Sequence, residues 1–200
     1  MISGSSPFAR CGRALLLLCA AGMGSFADAA SWDVRQLMQE LAQVKTARGR
    51  FVERKHLAIL SAPLQLSGTL IYIAPSRLEK HTVAPHQERL LLEGGALTIE
   101  RKEKNQRRTV LLQDYPVVRA FVESIRSTLA GDLATLNRYY EVALDGDASK
   151  WRLVLKPSDP QMREVVSEIR ISGERTWINA IEVLEIGGDR SVMAITRDEP

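Results

Sequence analysis

From Thr46 onward, apolar and polar residues alternate with a period of two, which is typical of β-strands that bury one face. The clearest strand is residues 65–74, whose alternate side chains form two sets. One set is Thr69, Ile71 and Ile73, and the other is Leu66, Leu70 and Tyr72. The pairs Gly94-Gly95 and Gly187-Gly188 are typical of two-residue hairpin turns. The pattern therefore predicts antiparallel strands joined by hairpins.

Two other stretches have the three- and four-residue spacing of amphipathic helices. The first covers residues 32–44, with Ser31 as a candidate N-cap. The second begins at Pro116, a favoured first helical position, and ends before Gly131, after which Asp132 caps a short turn. The predicted strands are residues 49–54, 65–74, 77–84, 89–93, 96–101, 107–113, 138–144, 151–155, 165–172, 177–186 and 191–196.

Short strands interrupted by one helical insert predict a mainly β fold of the α+β class. We expect one strongly curved sheet of about ten or eleven strands, with helices covering its concave side. Two of the turns are expected at residues 145–147 and 173–174. Residues 30–200 are long enough for a single domain with its own core.

The helix at residues 116–130 is the element most informative about function. Its apolar stripe is Val118, Phe121, Val122, Ile125 and Leu129, and its opposite face carries Arg119, Glu123 and Arg126. A curved sheet buries apolar surface on its concave side only when something covers it, and this stripe is suited to that role. The stripe fits a lid that opens over a cavity as well as it fits a helix fixed in the core.

Residues 1–29 have the three parts of a secretory signal peptide. Two arginines precede an apolar run at residues 14–21, and small residues follow at positions 27–29. The run is shorter than the roughly 20 residues that a membrane span needs. We expect cleavage between Ala29 and Ala30, followed by export.

Composition and motifs exclude several classes of function. The net charge is +3, from 27 basic and 24 acidic side chains, which is too balanced to indicate nucleic-acid binding. Cys11 and Cys19 both lie in the predicted signal peptide, so no thiolate is expected after cleavage. The three histidines lack metal-site spacing, and the motifs of nucleotide-binding loops and of the hydrolase nucleophile are absent. We expect no metal, no cofactor and no catalysis.

The densest run of charge is residues 101–108, with five basic side chains: Arg101, Lys102, Lys104, Arg107 and Arg108. Such a hairpin can attract a protein to anionic lipid headgroups or to an acidic partner, each cation contributing about 1 kcal/mol. The run also fits a solvated β-turn, which the charge pattern favours. Any membrane contact would be transient.

Three stretches resemble the outer-membrane lipoprotein carrier family, the LolA-like proteins. They are residues 68–75, followed by Leu78 and Ala84-Pro85, residues 90–97 with their acidic-glycine turn, and residues 153–157. The order of signal peptide, helix, hairpin sheet, helical insert and second hairpin sheet is also similar to the family. The likeness covers nearly the whole chain after the signal peptide.

The resemblance implies an incomplete antiparallel β-barrel whose mouth is covered by helices. It also implies a monomeric periplasmic carrier of the acyl chains of a lipoprotein or a related lipid. The carrier would receive its cargo from an inner-membrane exporter and pass it to an outer-membrane acceptor. Candidate residues lining the apolar cavity are Phe51, Leu66, Leu70, Tyr72, Leu78, Leu91, Leu97, Val110 and Leu112.

The chain departs from the family at three places. In one of them, Thr98, Ile99 and Glu100 follow Gly94-Gly95 where the family again has aromatic residues. Ala74 stands where the family usually has an arginine that ties the lid helices to the barrel, and residues 78–80 replace an aromatic-rich strand. We therefore expect a divergent member with a different lid latch. Two other interpretations are open: a lipid- or peptide-binding accessory or sensor module on the same fold, and an enzyme acting on lipids.

Overall fold

The computed structural model describes residues 32–198, which form eleven strands in one antiparallel sheet. The strands are β1 (Thr46–His56), β2 (Leu64–Ile73), β3 (Arg77–Ala84), β4 (Glu88–Glu93), β5 (Ala96–Arg101), β6 (Gln106–Leu111), β7 (Tyr140–Asp147), β8 (Lys150–Pro157), β9 (Val166–Glu174), β10 (Trp177–Glu185) and β11 (Arg190–Arg197). The helices are α1 (Val34–Leu41), α2 (Pro116–Ala130), α3 (Leu133–Tyr139) and α4 (Pro160–Arg163). The predicted signal peptide and its cleavage site lie outside the described residues.

The strand order is β6-β5-β4-β3-β2-β1-β11-β10-β9-β8-β7. Strands β1 to β6 form one meander and β7 to β11 form a second, and the pairing of β1 with β11 joins them. The sheet is not closed, because β6 and β7 are its two edges. The predicted open antiparallel sheet with helices is confirmed. No helix in the described part of the chain is long and apolar enough to cross a membrane.

Local signals explain where the helices begin and end. Asp33, rather than Ser31, caps α1 through a capping box with Gln36, and Ser31 lies outside the described residues. Pro116 is the first residue of α2, and Gly131 ends it with a φ of 68°. The Asp132 side chain caps α3, which continues to Tyr139, so the prediction that a strand begins at residue 138 is wrong.

Two turns lie later in the chain than predicted. Strand β7 continues to Asp147, whose side chain accepts hydrogen bonds from Ser149 and Lys150 across the turn. Gly173 is inside β9 rather than in a turn. A Cβ at this position would lie 2.3 Å from the ring of Trp151, so only glycine fits there. In β9 the glycine therefore marks a close approach of a large side chain rather than a turn.

The core lies on one face of the sheet, which we call the inner face. Its sheet residues include Phe51, Leu153, Leu155, Ile169, Ile171, Ile181 and Ile195. All four helices contribute to it, through Leu37, Leu41, Ala120, Leu136 and Met162. The strands that supply this core are β1 and β7 to β11, so the main core occupies one half of the sheet.

The end of α2 makes a close contact with α1 that can be tested. A Cβ at Gly131 would lie 2.1 Å from the backbone oxygen of Met38. We expect Gly131→Ala to lower the free energy of unfolding by about 3 kcal/mol, because backbone strain adds to this collision. Urea denaturation measures the change.

The matched control is Gly94→Ala, because Gly94 has a similar φ of 57° but nothing within 4 Å of a Cβ. Its expected loss is about 1 kcal/mol, from the strain alone. Equal losses in the two variants would contradict the close packing of Gly131 on α1.

Candidate functional site

The register of β2 to β6 places their inner-face side chains in three rows that run across the strands. The apolar row is Tyr72, Leu78, Leu92, Leu97 and Val110. The mixed row is Leu70, Lys80, Leu90, Ile99 and Arg108. The polar row is Gly68, Thr82, Glu88, Arg101 and Gln106. The inner face thus changes from apolar to charged over four residues of strand, roughly 13 Å.

The apolar row is separate from the main core. Tyr72 and Leu92 are buried and Leu78, Leu97 and Val110 are half-buried, but none belongs to the core cluster. Half-buried aliphatic side chains leave apolar area that a ligand can cover, at about 25 cal/mol per Å². Three residues of the mixed row are also half-buried and apolar: Leu70, Leu90 and Ile99. We call these three residues and the apolar row together the apolar floor.

The structure distributes the predicted lining residues over several places. Those that lie in the apolar floor are Leu70, Tyr72, Leu78, Leu97 and Val110. Phe51 is in the main core, and Leu66 packs against that core on the same inner face. Leu112 is buried in the turn that precedes α2.

Leu91 lies on the opposite face of the sheet, so its assignment to the lining is wrong. It pairs with Glu79 and Thr98, whereas Leu90 and Ile99 project to the inner face and were missed. Residues 90–92 are three consecutive leucines, so the sequence there has no alternation to read. The Gly94-Gly95 hairpin is the signal that sets their parity, because a two-residue turn fixes the register of its strands.

Helix α2 packs most closely through small and polar residues, not through its apolar stripe. Its buried residues are Ala120, Ser124, Ser127 and Thr128. The hydroxyl of Tyr140 donates a hydrogen bond to the backbone oxygen of Ala120, 2.8 Å away. Of the predicted lid residues, Phe121, Ile125 and Leu129 are half-buried against the core, Val122 is half-buried, and Val118 is 37% exposed.

The polar side of α2 is not fully solvated. Glu123 and Arg126 form an ion pair, and both side chains are largely buried. Burial raises the pKa of Tyr72, and the positive charge of Arg126 opposes that rise. The charge of Arg126 is therefore close enough to Tyr72 to act on its hydroxyl.

Two open concavities are lined by other residues. One of about 440 Å³ lies where β3 to β6 meet the basic hairpin, and another of about 600 Å³ lies over the outer face of β7 to β9. The lining of the first is almost wholly polar, and neither includes the apolar row. Within residues 32–198, no three His, Cys, Asp or Glu side chains are grouped to hold a metal ion.

A buried ion pair lies on the inner face next to the apolar floor. The ammonium of Lys80 donates to Oε2 of Glu53 and lies 4.8 Å from the centre of the Phe51 ring. Ser191 donates to Oε1 of Glu53 over 2.7 Å. Burial alone would raise the pKa of Glu53, but the Lys80 charge and these hydrogen bonds outweigh it, and the pKa lies below its ordinary value.

The outer face carries a second ionic network around Glu79. Its Oε1 accepts from Arg77 over 2.6 Å, and its Oε2 lies 2.7 Å from His81 Nε2 and 2.9 Å from Arg89. Burial opposes ionisation, but hydrogen bonds from His81, Arg77 and Arg89 lower the pKa of Glu79 to about 2. The network joins β3 to β4 on the face opposite the apolar floor.

The basic hairpin does not present its five cations on one surface. Arg101 pairs with Glu88 at 2.7 Å, and Arg107 pairs with Glu100 at 3.4 Å. Arg101 and Arg108 are on the inner face, and Lys102 and Lys104 lie in the turn after β5. Ion pairing therefore reduces the positive charge that the hairpin offers to a membrane or an acidic partner.

Sequence comparison assigns the chain to a family. The model of the outer-membrane lipoprotein carrier protein LolA-like family matches residues 26–196. The chain therefore belongs to the LolA-like family, as its sequence motifs predicted. A search of curated protein sequences gave no match.

Several solved structures have a similar fold. A LolA superfamily protein from Nitrosomonas europaea is 11% identical, with 85% of this chain and 96% of that chain covered and a TM-score of 0.44. A chain of the Pseudomonas aeruginosa MucA/MucB complex is 13% identical, with 82% and 56% covered and a TM-score of 0.48. An outer-membrane lipoprotein-sorting protein domain from Vibrio parahaemolyticus is 6% identical, with 82% and 88% covered and a TM-score of 0.42.

The Glu79 network predicts how stability depends on pH. A carboxyl group whose pKa falls on folding stabilises the protein above its ordinary value of 4.5, and this contribution is lost as the pH falls towards about 2. We therefore expect the free energy of unfolding of Glu79→Gln to change less steeply between pH 4.5 and 2 than that of the wild type. Urea denaturation across this pH range measures the slope.

Glu93→Gln is the control, because the Glu93 side chain pairs with the same Arg77 but is 56% exposed. It should keep the wild-type slope. A Glu79→Gln curve parallel to the wild type would show that the network does not hold the carboxylate as described.

Proposed function

We propose that the chain is a periplasmic carrier that binds the acyl chains of a lipoprotein or a related lipid on the apolar floor. The observation that carries this proposal is the apolar row, which lies outside the main core and in which Leu78, Leu97 and Val110 are only half-buried. Burial of each methylene of an acyl chain there would contribute about 0.8 kcal/mol. From β2 to β6 the floor extends over four strand spacings, roughly 19 Å, which suits an elongated chain.

The arrangement of α2 supports a role as a movable cover. Its buried face consists of small and polar side chains, which contribute less apolar burial than a leucine-rich face would. Of its apolar stripe, Phe121, Ile125 and Leu129 are half-buried against the core, and Val118 is exposed. On this proposal the helix moves to admit an acyl chain, and the stripe Val118, Phe121, Val122, Ile125 and Leu129 then contacts the ligand.

The proposal extends to location and partners. The predicted signal peptide would deliver a monomer to the periplasm, where an inner-membrane exporter would load it and an outer-membrane acceptor would unload it. Contact with either membrane would be transient, through the basic hairpin at residues 101–108. The apolar row offers no carboxylate, amine, imidazole or thiol for chemistry, which favours a carrier over an enzyme.

Two adjacent leucines provide a sharp test of the binding surface. Leu90 projects to the inner face and Leu91 to the outer face of the same strand. We expect Leu90→Gln to weaken binding of a dansyl-labelled diacylglyceryl-cysteine lipopeptide by about tenfold, because an amide replaces apolar contact with the acyl chain. Leu91→Gln should change the dissociation constant by less than about twofold.

Fluorescence titration of the mature chain measures both constants, and thermal unfolding of each variant checks that the fold is retained. Equal weakening by the two substitutions would place the ligand away from the apolar floor. Absence of lipopeptide binding by the wild type would refute the carrier proposal.

A further inference from the structure

Lys80 is a charged residue at the border of an apolar surface. In the mixed row it lies between Leu70 and Leu90, two residues along β3 from Leu78 of the apolar row. Its side chain crosses the ring of Phe51 to reach Glu53, and it is 20% exposed where the Glu53 side chain is 6% exposed. The Lys80 side chain is therefore largely desolvated, but it keeps more exposure than the carboxylate that it pairs with.

Stability alone does not explain this pair. Removing two charges from water costs several kcal/mol per ion, so a buried ion pair is often no more stable than apolar residues of similar size. Leucine and isoleucine occupy other places of the same row, and either would extend the apolar floor. A cation at this position therefore needs a role that an aliphatic side chain cannot perform.

The local charge is not balanced by the protein itself. Glu53 is approached by two ammonium groups, those of Lys80 and of Lys55, the second at 3.6 Å. Lys80 has three N–H donors, and Glu53 is the one carboxylate that it meets in the described residues. The cluster of Glu53, Lys55 and Lys80 thus has one excess positive charge and unused donors.

We propose that Lys80 binds the anionic head of a single-chain amphiphile whose acyl chain lies on the apolar floor. This inference rests on the proposed function and names the class of ligand for the same surface. A compact anion at Lys80 neutralises the excess charge, and the transition from the polar row to the apolar row matches the two ends of such a molecule. Carboxylate and phosphate heads share this chemistry.

The test compares an acid with its neutral ester. The fluorescent fatty acid cis-parinaric acid has a carboxylate head, and its methyl ester has the same chain without the charge. At pH 7.5 the wild type should bind the acid about tenfold more tightly than the ester, because a charge-assisted hydrogen bond is made only by the acid. Fluorescence titration of the mature chain gives both dissociation constants.

Four variants locate the preference. Lys80→Met should remove it and leave ester binding within about twofold, whereas Lys80→Arg should keep it. Since Lys80→Met leaves Glu53 without its main partner, the double variant Glu53→Gln/Lys80→Met removes both charges and should show the same loss. Lys156→Met, on the exposed outer face of β8, is the matched control and should keep the preference.

Competition with palmitate and with palmitoyl lysophosphatidic acid, against neutral monopalmitin, shows which anionic head is preferred. Equal binding of acid and ester by the wild type, or a preference that survives in both Lys80→Met variants, would overturn the inference and leave the carrier proposal standing. Failure of acid and ester alike to bind would also overturn the inference, and the lipopeptide titration decides the carrier proposal separately.

Discussion

The pairing of β1 with β11 determines the architecture, because it joins two meanders into one sheet too wide for a single core to cover. The side chains of β1 and β7 to β11, with the four helices, fill one half of the inner face. The other half, from β2 to β6, keeps an apolar row that the core does not reach. The exposed apolar surface on β2 to β6 thus exists because the helices cover only the other half of the sheet, and its contact with water is unfavourable.

The helical insert connects β6 and β7, the two edge strands of the sheet. Helix α2 approaches the core through Ala120 and Ser124, so that small side chains allow close contact, and Gly131 brings its end against α1. Its larger side chains Phe121, Ile125 and Leu129 are half-buried against the same core. A leucine-rich buried face would hold the helix more strongly and would leave less apolar area for a guest.

Much of this fold could be predicted, because alternation, hairpin glycines and helix caps are local signals. The strand at residues 65–74 and the helix at Pro116 were identified in this way, with boundaries within about two residues. The parity of Leu91 was missed because three consecutive leucines carry no alternation, and only the register of the next hairpin resolves it. Glycines inside strands, such as Gly173, were mistaken for turns because their packing partner is distant in sequence.

The ion pair of Glu53 and Lys80 has no local signal at all. The two residues are 27 positions apart on strands that are not neighbours, and they meet only because Lys80 extends across β2 and over Phe51. In sequence, Glu79 and Lys80 are consecutive charged residues, so no alternation shows which of the two faces inward. The structure separates them: Glu79 contacts Arg77, His81 and Arg89 on the outer face, whereas Lys80 turns inward. The family resemblance implies aromatic residues in this strand, and this chain instead has Lys80 on the inner face, which changes an apolar position to a charged one.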